Sequence, residues 1–350
     1  MRWTRGFEIV GVAAFLAVAV SACSSSSGEG SESAASDLSQ ESATPIGPEP
    51  SGTPTRYPII LVHGFKASPE KDGFWGIAEA LRADGHTVYV ARTPPFQSAD
   101  IRAKYLQETV DQALADGATK VNLIAHSMGG LDSRALISTL GYGDRVATLT
   151  TMSTPHRGSA SIDAIMGFVD GLGVPDKLLD CLGVLWGRVF STAEVAQDSD
   201  VRAAFLDLSE AHAQEWNDAH PDDRRVVYQS IAGVSNAFGI VNPLDMEACD
   251  GKYYVDRDGH PAYPGGGRAD EMPKIMQPLA SAVSHMTELR PNDALVTVES
   301  AHWGNFLGCV PANHLLEPGE PGLDVVNART GFDPVRFFRN LAFDLARQGF

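Results

Sequence analysis

The chain has 350 residues, 43% of them hydrophobic and 20% charged, which is enough apolar material for one large core or two average ones. Its formal net charge of −17 excludes the basic surface that nucleic-acid binding calls for and disfavours purely electrostatic docking on anionic lipid.

Residues 1–22 read as an export signal. Arg2 and Arg5 precede an apolar run at 10–20, which is too short for a comfortable membrane span. Val20-Ser21-Ala22-Cys23 then looks like a lipobox, in which Cys23 is lipidated and becomes the first residue of the mature chain. Residues 23–56 are rich in Ser, Glu, Gly and Pro and nearly free of large apolar side chains, so they read as a disordered tether. The expectation is an exported protein, lipid-anchored to the cell envelope at the outer membrane or cell surface. Its folded domain spans residues 57–350. With Cys23 assigned to lipid, two of Cys181, Cys249 and Cys309 are expected to pair in an oxidising compartment. Cys249 and Cys309 are favoured because both lie in the C-terminal half near the candidate site loops. The chain holds no C-x-x-C, H-E-x-x-H or zinc-type spacing.

Folding begins at Tyr57. Residues 58–62 (P-I-I-L-V) are an apolar, β-branched run of the kind a buried parallel strand needs, ending in His63-Gly64-Phe65. A helical pattern with Phe74, Ile77, Ala78 and Leu81 stops at Gly85, and residues 87–91 form a second strand. Ser98 caps a helix over 101–115. Residues 121–130 (V-N-L-I-A-H-S-M-G-G) predict a strand, a sharp turn at Ser127 and a helix. Residues 146–151 are another strand, followed by Thr154-Pro155-His156-Arg157-Gly158-Ser159. This alternation predicts βαβ units in a mostly parallel, doubly wound sheet with helices on both faces. In such sheets the site gathers at the carboxyl ends of the strands, so His63-Gly64-Phe65, Ser127 and Pro155-His156 should meet. Residues 160–220 break the alternation with apolar helical segments. They read either as a mobile lid over an apolar pocket or as core helices, and the lid is preferred. Residues 226–231 resume as a strand. Residues 236–270 read as loops with a hairpin, 294–298 as a further strand and 304–313 as a loop. A final amphipathic helix carries Val335, Phe337, Phe338, Leu341 and Leu345.

Ser127 lies between small residues at a strand-to-helix turn, the setting of a nucleophile elbow; the plain alternative is a helix N-cap serine. A serine hydroxyl needs a base to take its proton and a third group to orient that base. In this sheet type the order along the chain is Ser, acid, His. His314 is preferred to His302 as the base, because the segment 304–313 gives it reach. Asp293 is preferred to Asp245 and Asp270 as the acid, although Asn292-Asp293 also suits a plain turn. The oxyanion donors would be the N–H of Met128, directly after the serine, and that of Phe65 in the loop after the first strand. His63, His126 and His156 are expected to pack and hydrogen-bond structurally.

Residues 57–65 (Y-P-I-I-L-V-H-G-F), 118–130, 154–159 (T-P-H-R-G-S), 292–296 (N-D-A-L-V) and His314-Leu315 resemble the secreted bacterial triacylglycerol lipases, the calcium-dependent class that often uses a dedicated foldase. The likeness runs from Tyr57 to about His156 and returns at 292–315. It implies an α/β-hydrolase with a helical lid insertion at about 160–220 that hydrolyses carboxylic esters. By resemblance Ser127, Asp293 and His314 take the triad positions, and Phe65 and Met128 the oxyanion positions. The preferred substrates are acylglycerols, and the alternative is a short-chain carboxylesterase or polyester depolymerase. A non-catalytic surface-binding protein on a hydrolase scaffold is the reading from a different class. The chain departs from the family in three places. Ala125 stands where Gly is usual. Leu316 stands where the family's calcium site has an aspartate, two residues past the histidine, which leaves Asp270, Glu317 and Glu320 to compensate. The family's disulfide spacing does not map cleanly onto Cys249 and Cys309. No cofactor is therefore expected to be required, any calcium dependence should be weak, and a lipase-specific foldase is a partner the resemblance allows without demanding.

Overall fold

The computed structural model describes residues 49–65, 74, 76–177, 180, 199–237, 239, 243–250, 270–274, 276–285, 288–319, 327 and 330–350. The segments read as export signal and tether, up to residue 48 and with Cys23, together with Cys181, Glu320 and the part of the segment read as a lid that holds Leu182, Leu185, Trp186 and Phe190, lie outside the described residues. Among the described residues no helix is long and apolar enough to cross a membrane.

In chain order the strands are β1 (Ile59–Val62), β2 (Val88–Val90), β3 (Val121–His126), β4 (Val146–Met152), β5 (Val227–Gly233), β6 (Ser235–Asn236), β7 (Asp270–Glu271) and β8 (Asn305–Val310). The helices are α1 (Ile77–Ala83), α2 (Ala99–Ala115), α3 (Met128–Ser138), α4 (Ala160–Gly171), α5 (Val201–Leu208), α6 (Ala213–Ala219), α7 (Pro243–Ala248), α8 (Gln277–Val283), α9 (Val298–Ala301) and α10 (Pro334–Arg347). Six strands make the central sheet in the order β2-β1-β3-β4-β5-β8, and every pairing is parallel.

Side chains alternate across a strand, so a strand buried on both faces must be apolar throughout. β1 shows this directly. Ile59 and Leu61 pack with Ile77 and Leu81 of α1 and with Phe337, Phe338 and Leu341 of α10. Ile60 and Val62 face the other way, onto Leu106 and Val110 of α2 and Leu131 and Ala135 of α3. Each fully buried Ile or Leu contributes about 1.5–3 kcal/mol, which makes this double-faced strand a main support of the fold. α10 closes the first face. Asp333 caps it by accepting the Arg336 N–H at 3.0 Å, and Pro334 takes the first turn, where its missing N–H costs nothing.

The loop-and-hairpin reading of 236–270 is corrected in one respect. β6 and β7 pair with each other in parallel, so they are not the two arms of a hairpin, and residues 251–269 lie outside the described residues. The expected strand at 294–298 is also corrected. Asn292 and Thr297 form an isolated antiparallel bridge around a tight turn in which Ala294 has φ 92°, and α9 follows. The Asp293 carboxylate explains it. Its Oδ1 accepts the N–H groups of Leu295 at 2.9 Å and Val296 at 2.7 Å, winding the chain back on itself. The last sheet strand lies instead within 304–313, expected to be a loop: residues 305–310 (N-F-L-G-C-V) form β8 beside β5. A disulfide joins Cys309 on β8 to Cys249 after α7.

Candidate active site

Three chain segments converge at the carboxyl ends of β1, β3 and β8. After β3 the chain turns at Ser127, with φ 54° and ψ −131°, and enters α3 at once. A positive φ at a residue with a Cβ costs about 1–3 kcal/mol and persists only where its surroundings impose it. The surroundings here are tight. A Cβ on Gly129 would lie 2.4 Å from Val62 O, one on Gly130 would lie 2.1 Å from Thr154 Oγ1, and one on Gly64 would lie 2.7 Å from Ser127 Cβ. Only glycine fits at these three positions, so the β1 loop and the first turn of α3 press against the serine from both sides.

His314 follows β8 and lies 5% exposed. Its Nε2 is 2.8 Å from Ser127 Oγ and its Nδ1 is 2.7 Å from Asp293 Oδ2. An ionised carboxylate only accepts, so Nδ1 carries the hydrogen and Nε2 is left to accept the serine proton. Asp293 has 0% exposure, and the Leu295 and Val296 amides fill its other oxygen. The backbone N–H of His314 donates to Asp293 O at 3.0 Å, fastening the histidine loop to the acid turn. Such a relay can take a proton from the serine hydroxyl while a fixed negative charge faces the imidazolium that forms.

The structure brings Ser127, Asp293 and His314 together, and Phe65 and Met128 lie on the two segments flanking Ser127. His302 lies apart from this relay: it ends α9, and its ring packs on Phe306. Asp245 sits with Asn236, which donates to it at 3.1 Å. Nδ1 of His63 is 3.1 Å from Gly64 O, and burial, with Arg102 adding to it, lowers its pKa to about 3, so it stays neutral. His156 is held between Thr151 Oγ1 at 3.0 Å and Arg134, and its ring stacks on Trp303. His126 lies with its Nε2 3.2 Å from Glu317 Oε2. Burial first, and the neighbouring His314 second, hold His126 well below the ordinary imidazole range.

Sequence reasoning gave Glu317 no part in the relay. It is wholly buried, accepts from Ser153 Oγ at 2.8 Å, and lies against Asp293. Burial and the adjacent Asp293 push its carboxyl well above the usual range, so it is held neutral beside the acid. Its signal was the i, i+3 spacing from His314. Arg102 and Asp132 were missed too. Both are fully buried and form an ion pair with Nη2 to Oδ2 at 2.8 Å. Their signal was a charge inside an apolar helical stripe, since Arg102 lies among Ala99, Ala103, Leu106 and Val110.

Of the carboxylates named as compensating for a calcium site, Asp270 and Glu317 do not fit one, and Glu320 lies outside the described residues. Asp270 Oδ2 accepts from Ser235 Oγ at 2.7 Å and Asn313 Nδ2 at 3.0 Å, and Oδ1 accepts from Asn327 Nδ2 at 2.8 Å. Donors thus occupy the face a cation would need. Calcium takes six to eight oxygen ligands, whereas Leu316 is packed in the apolar core and Glu317 is turned to Ser153. Among the described residues the side chains close enough to share a metal are His126, His314 and Glu317, with donor atoms within 4.8 Å of one another. Two imidazoles are the wrong donors for calcium, and His314 is already engaged.

A parallel sheet with helices on both faces and a serine on a strained strand-to-helix turn define an α/β-hydrolase. The structure superposes on Staphylococcus hyicus lipase with a TM-score of 0.57 at 16% identity, over 85% of this chain and 97% of that one. It also superposes on the metagenomic carboxyl esterase MGS0156, with a TM-score of 0.56 at 16% identity over 88% of this chain and 81% of that one. Residues 58–227 match the family model described as palmitoyl protein thioesterase. In sequence the chain is 30% identical to a triacylglycerol lipase of Vibrio cholerae over 309 residues, covering 85% of this chain and 90% of that protein. It is 37% identical to a triacylglycerol lipase of Burkholderia plantarii over 177 residues, about half of each protein. The chain belongs to the bacterial triacylglycerol lipase family.

Proposed function

We propose that this protein hydrolyses carboxylic esters as a triacylglycerol lipase, with Ser127 as nucleophile, His314 as base and Asp293 as the orienting acid. The observation that carries the reading is the His314 ring, spanning Ser127 Oγ at 2.8 Å and Asp293 Oδ2 at 2.7 Å. Ser127 Oγ attacks the ester carbonyl as its proton passes to His314 Nε2. The oxyanion forms against the N–H groups of Phe65 and Met128. His314 returns the proton to the leaving alcohol, giving an acyl-serine. Water then attacks, His314 takes its proton, and the carboxylic acid leaves as the serine is re-protonated.

An apolar wall beside the oxyanion loop supports acylglycerol substrates. Phe65 packs edge-on to Phe96 at 4.8 Å and against Phe205 at 5.6 Å, and Ile165 and Val169 of α4 join the same cluster with Val201. α4 and α5 belong to the segment read as the lid, and they flank the face where an acyl chain would lie. Export and anchoring through Cys23 form part of the same proposal and rest on the lipobox. The test is the rate on p-nitrophenyl esters from short to long acyl chains, with Ser127→Ala beside the wild type. Long-chain hydrolysis that vanishes in the variant is expected. Hydrolysis of short chains alone would replace the lipase with a carboxylesterase, and full activity in Ser127→Ala would refute the mechanism.

A further inference from the structure

The C=O and N–H of one trans peptide point in opposite directions. Whatever captures the Ser127 carbonyl therefore aims the Met128 N–H, and whatever captures the Gly64 carbonyl aims the Phe65 N–H. Ser127 O is held by Thr154 Oγ1 at 2.7 Å and by the Gly130 N–H at 3.1 Å. On the other loop the holder is a side chain from a different element, Arg102 in the first turn of α2. Its Nη2 donates to His63 O at 2.9 Å and to Gly64 O at 3.2 Å, and its Nη1 donates to Pro94 O. Its Nε faces both oxygens of Asp132 on α3, at 3.0 and 2.9 Å. His63 Nδ1 adds a second donor to Gly64 O at 3.1 Å.

The connection runs between the two segments that carry the oxyanion donors. Asp132 is on the helix that begins at Met128, and the His63 and Gly64 carbonyls are on the loop that leads to Phe65. A guanidinium is a rigid planar fork of five donors, and here one fork spans a carboxylate and three carbonyls. Arg102 and Asp132 are both 0% exposed. A buried ion pair seldom repays its desolvation in stability, so the geometry it imposes is the better account of it. The tolerance is narrow, since a Cβ on Gly64 would come within 2.7 Å of Ser127 Cβ.

We propose that Arg102, locked by Asp132, is a positioning residue for acyl transfer: it holds the His63 and Gly64 carbonyls and thereby aims the Phe65 N–H at the oxyanion. The proposal rests on the reading of Ser127 as the nucleophile. Arg102 does not touch substrate, so its removal acts on the transition state through the loop. Complete loss of one oxyanion donor lowers kcat by about 10²- to 10³-fold, and misaiming one costs a share of that.

The test uses the full chain with Arg102→Lys, which keeps the charge beside Asp132 but replaces the fork with a single ammonium. kcat and KM are measured on a soluble short-chain ester, together with the affinity for a trifluoromethyl ketone, which forms a tetrahedral oxyanion on the serine. The expected result is a kcat about 10- to 100-fold lower, KM within about twofold, and ketone affinity falling in step with kcat/KM. A merely structural role would lower thermal stability and leave these ratios alone. If Arg102→Lys does not fold, Asp132→Asn, which loosens the same fork at constant shape, is measured in the same way. Wild-type kcat and ketone affinity in a folded variant overturn the proposal, as does a kcat loss unmatched by the ketone. Activity surviving in Ser127→Ala would instead overturn the nucleophile reading on which the proposal rests.

Discussion

The hydroxyl of Thr154 donates to the carbonyl oxygen of Ser127 at 2.7 Å. It comes from the end of β4 and holds the peptide whose N–H, on Met128, is proposed to receive the oxyanion. Thr154→Val keeps the shape and removes the donor. It should lower kcat about tenfold with KM nearly unchanged, because the bond matters most when charge develops. Thr154→Ser should recover most of the rate. Steady-state kinetics on a soluble ester decide it, and equal kcat in all three proteins would count against this role.

The proposed relay predicts unequal losses. Asp293→Asn keeps the turn but lets the wrong nitrogen of His314 carry the hydrogen, and kcat should fall on the order of 10⁴-fold. Ser127→Ala and His314→Ala should each cost more, and the Ser127→Ala/His314→Ala double variant little beyond either. Independent, multiplying losses would mean that the two groups do not act as a unit.

Asp132 ties stability to pH. Burial lifts its carboxyl from 3.8 to about 6, with Arg102 opposing the rise and Asp207 adding to it. Between those values the folded protein holds a proton that the unfolded chain has released, so the stability due to Asp132 is highest below pH 4. It declines as pH rises and levels off above about 6. A shift from 3.8 to about 6 corresponds to about 3 kcal/mol. Denaturant unfolding of wild type and Asp132→Asn should show a free-energy difference that falls across this window. A difference independent of pH would contradict the assignment.

The filled coordination of Asp270 predicts indifference to calcium. Chelation should leave both the hydrolytic rate and the melting temperature unchanged. Asp270→Ala strands the hydroxyl of Ser235 and the amides of Asn313 and Asn327, so it should destabilise by about 1–3 kcal/mol for each buried donor left bare. Inactivation by chelator that added calcium restores would show that the donors rearrange around an ion.

The lipobox reading predicts that Cys23→Ser moves the protein from membrane fractions to the soluble ones. Retention of the variant in the membrane would refute lipid anchoring at that cysteine.

The sheet was legible where burial forces uniform chemistry. The runs at 58–62 and 121–126 have little choice but to be two-faced parallel strands. The elbow was legible because only small residues pass the contacts around Ser127, and the chain order of serine, acid and histidine then left few partners. What escaped was set by single long-range contacts. Residues 294–298 have the composition of a strand, but two backbone N–H groups donating to the Asp293 carboxylate wind them into a turn. Residues 305–310 were hidden by Gly308, which sits inside β8 with φ 118°. The buried charge of Arg102 looks like an ordinary helix residue until its partners, 30 residues on at Asp132 and 39 back at His63, are in place.

The Cys249–Cys309 bridge closes a loop of 60 residues that contains Asp293, and it ends five residues short of His314. In the chain-entropy model a loop of that length contributes about 4 kcal/mol. The serine, by contrast, stands on β3 and α3, whose packing owes nothing to either cysteine. Enzyme made under reducing conditions would thus keep its nucleophile on a sound scaffold while the ground beneath the acid and the base loosened. The bridge thus lends its stability to the half of the site that carries the acid and the base, and not to the half that carries the serine.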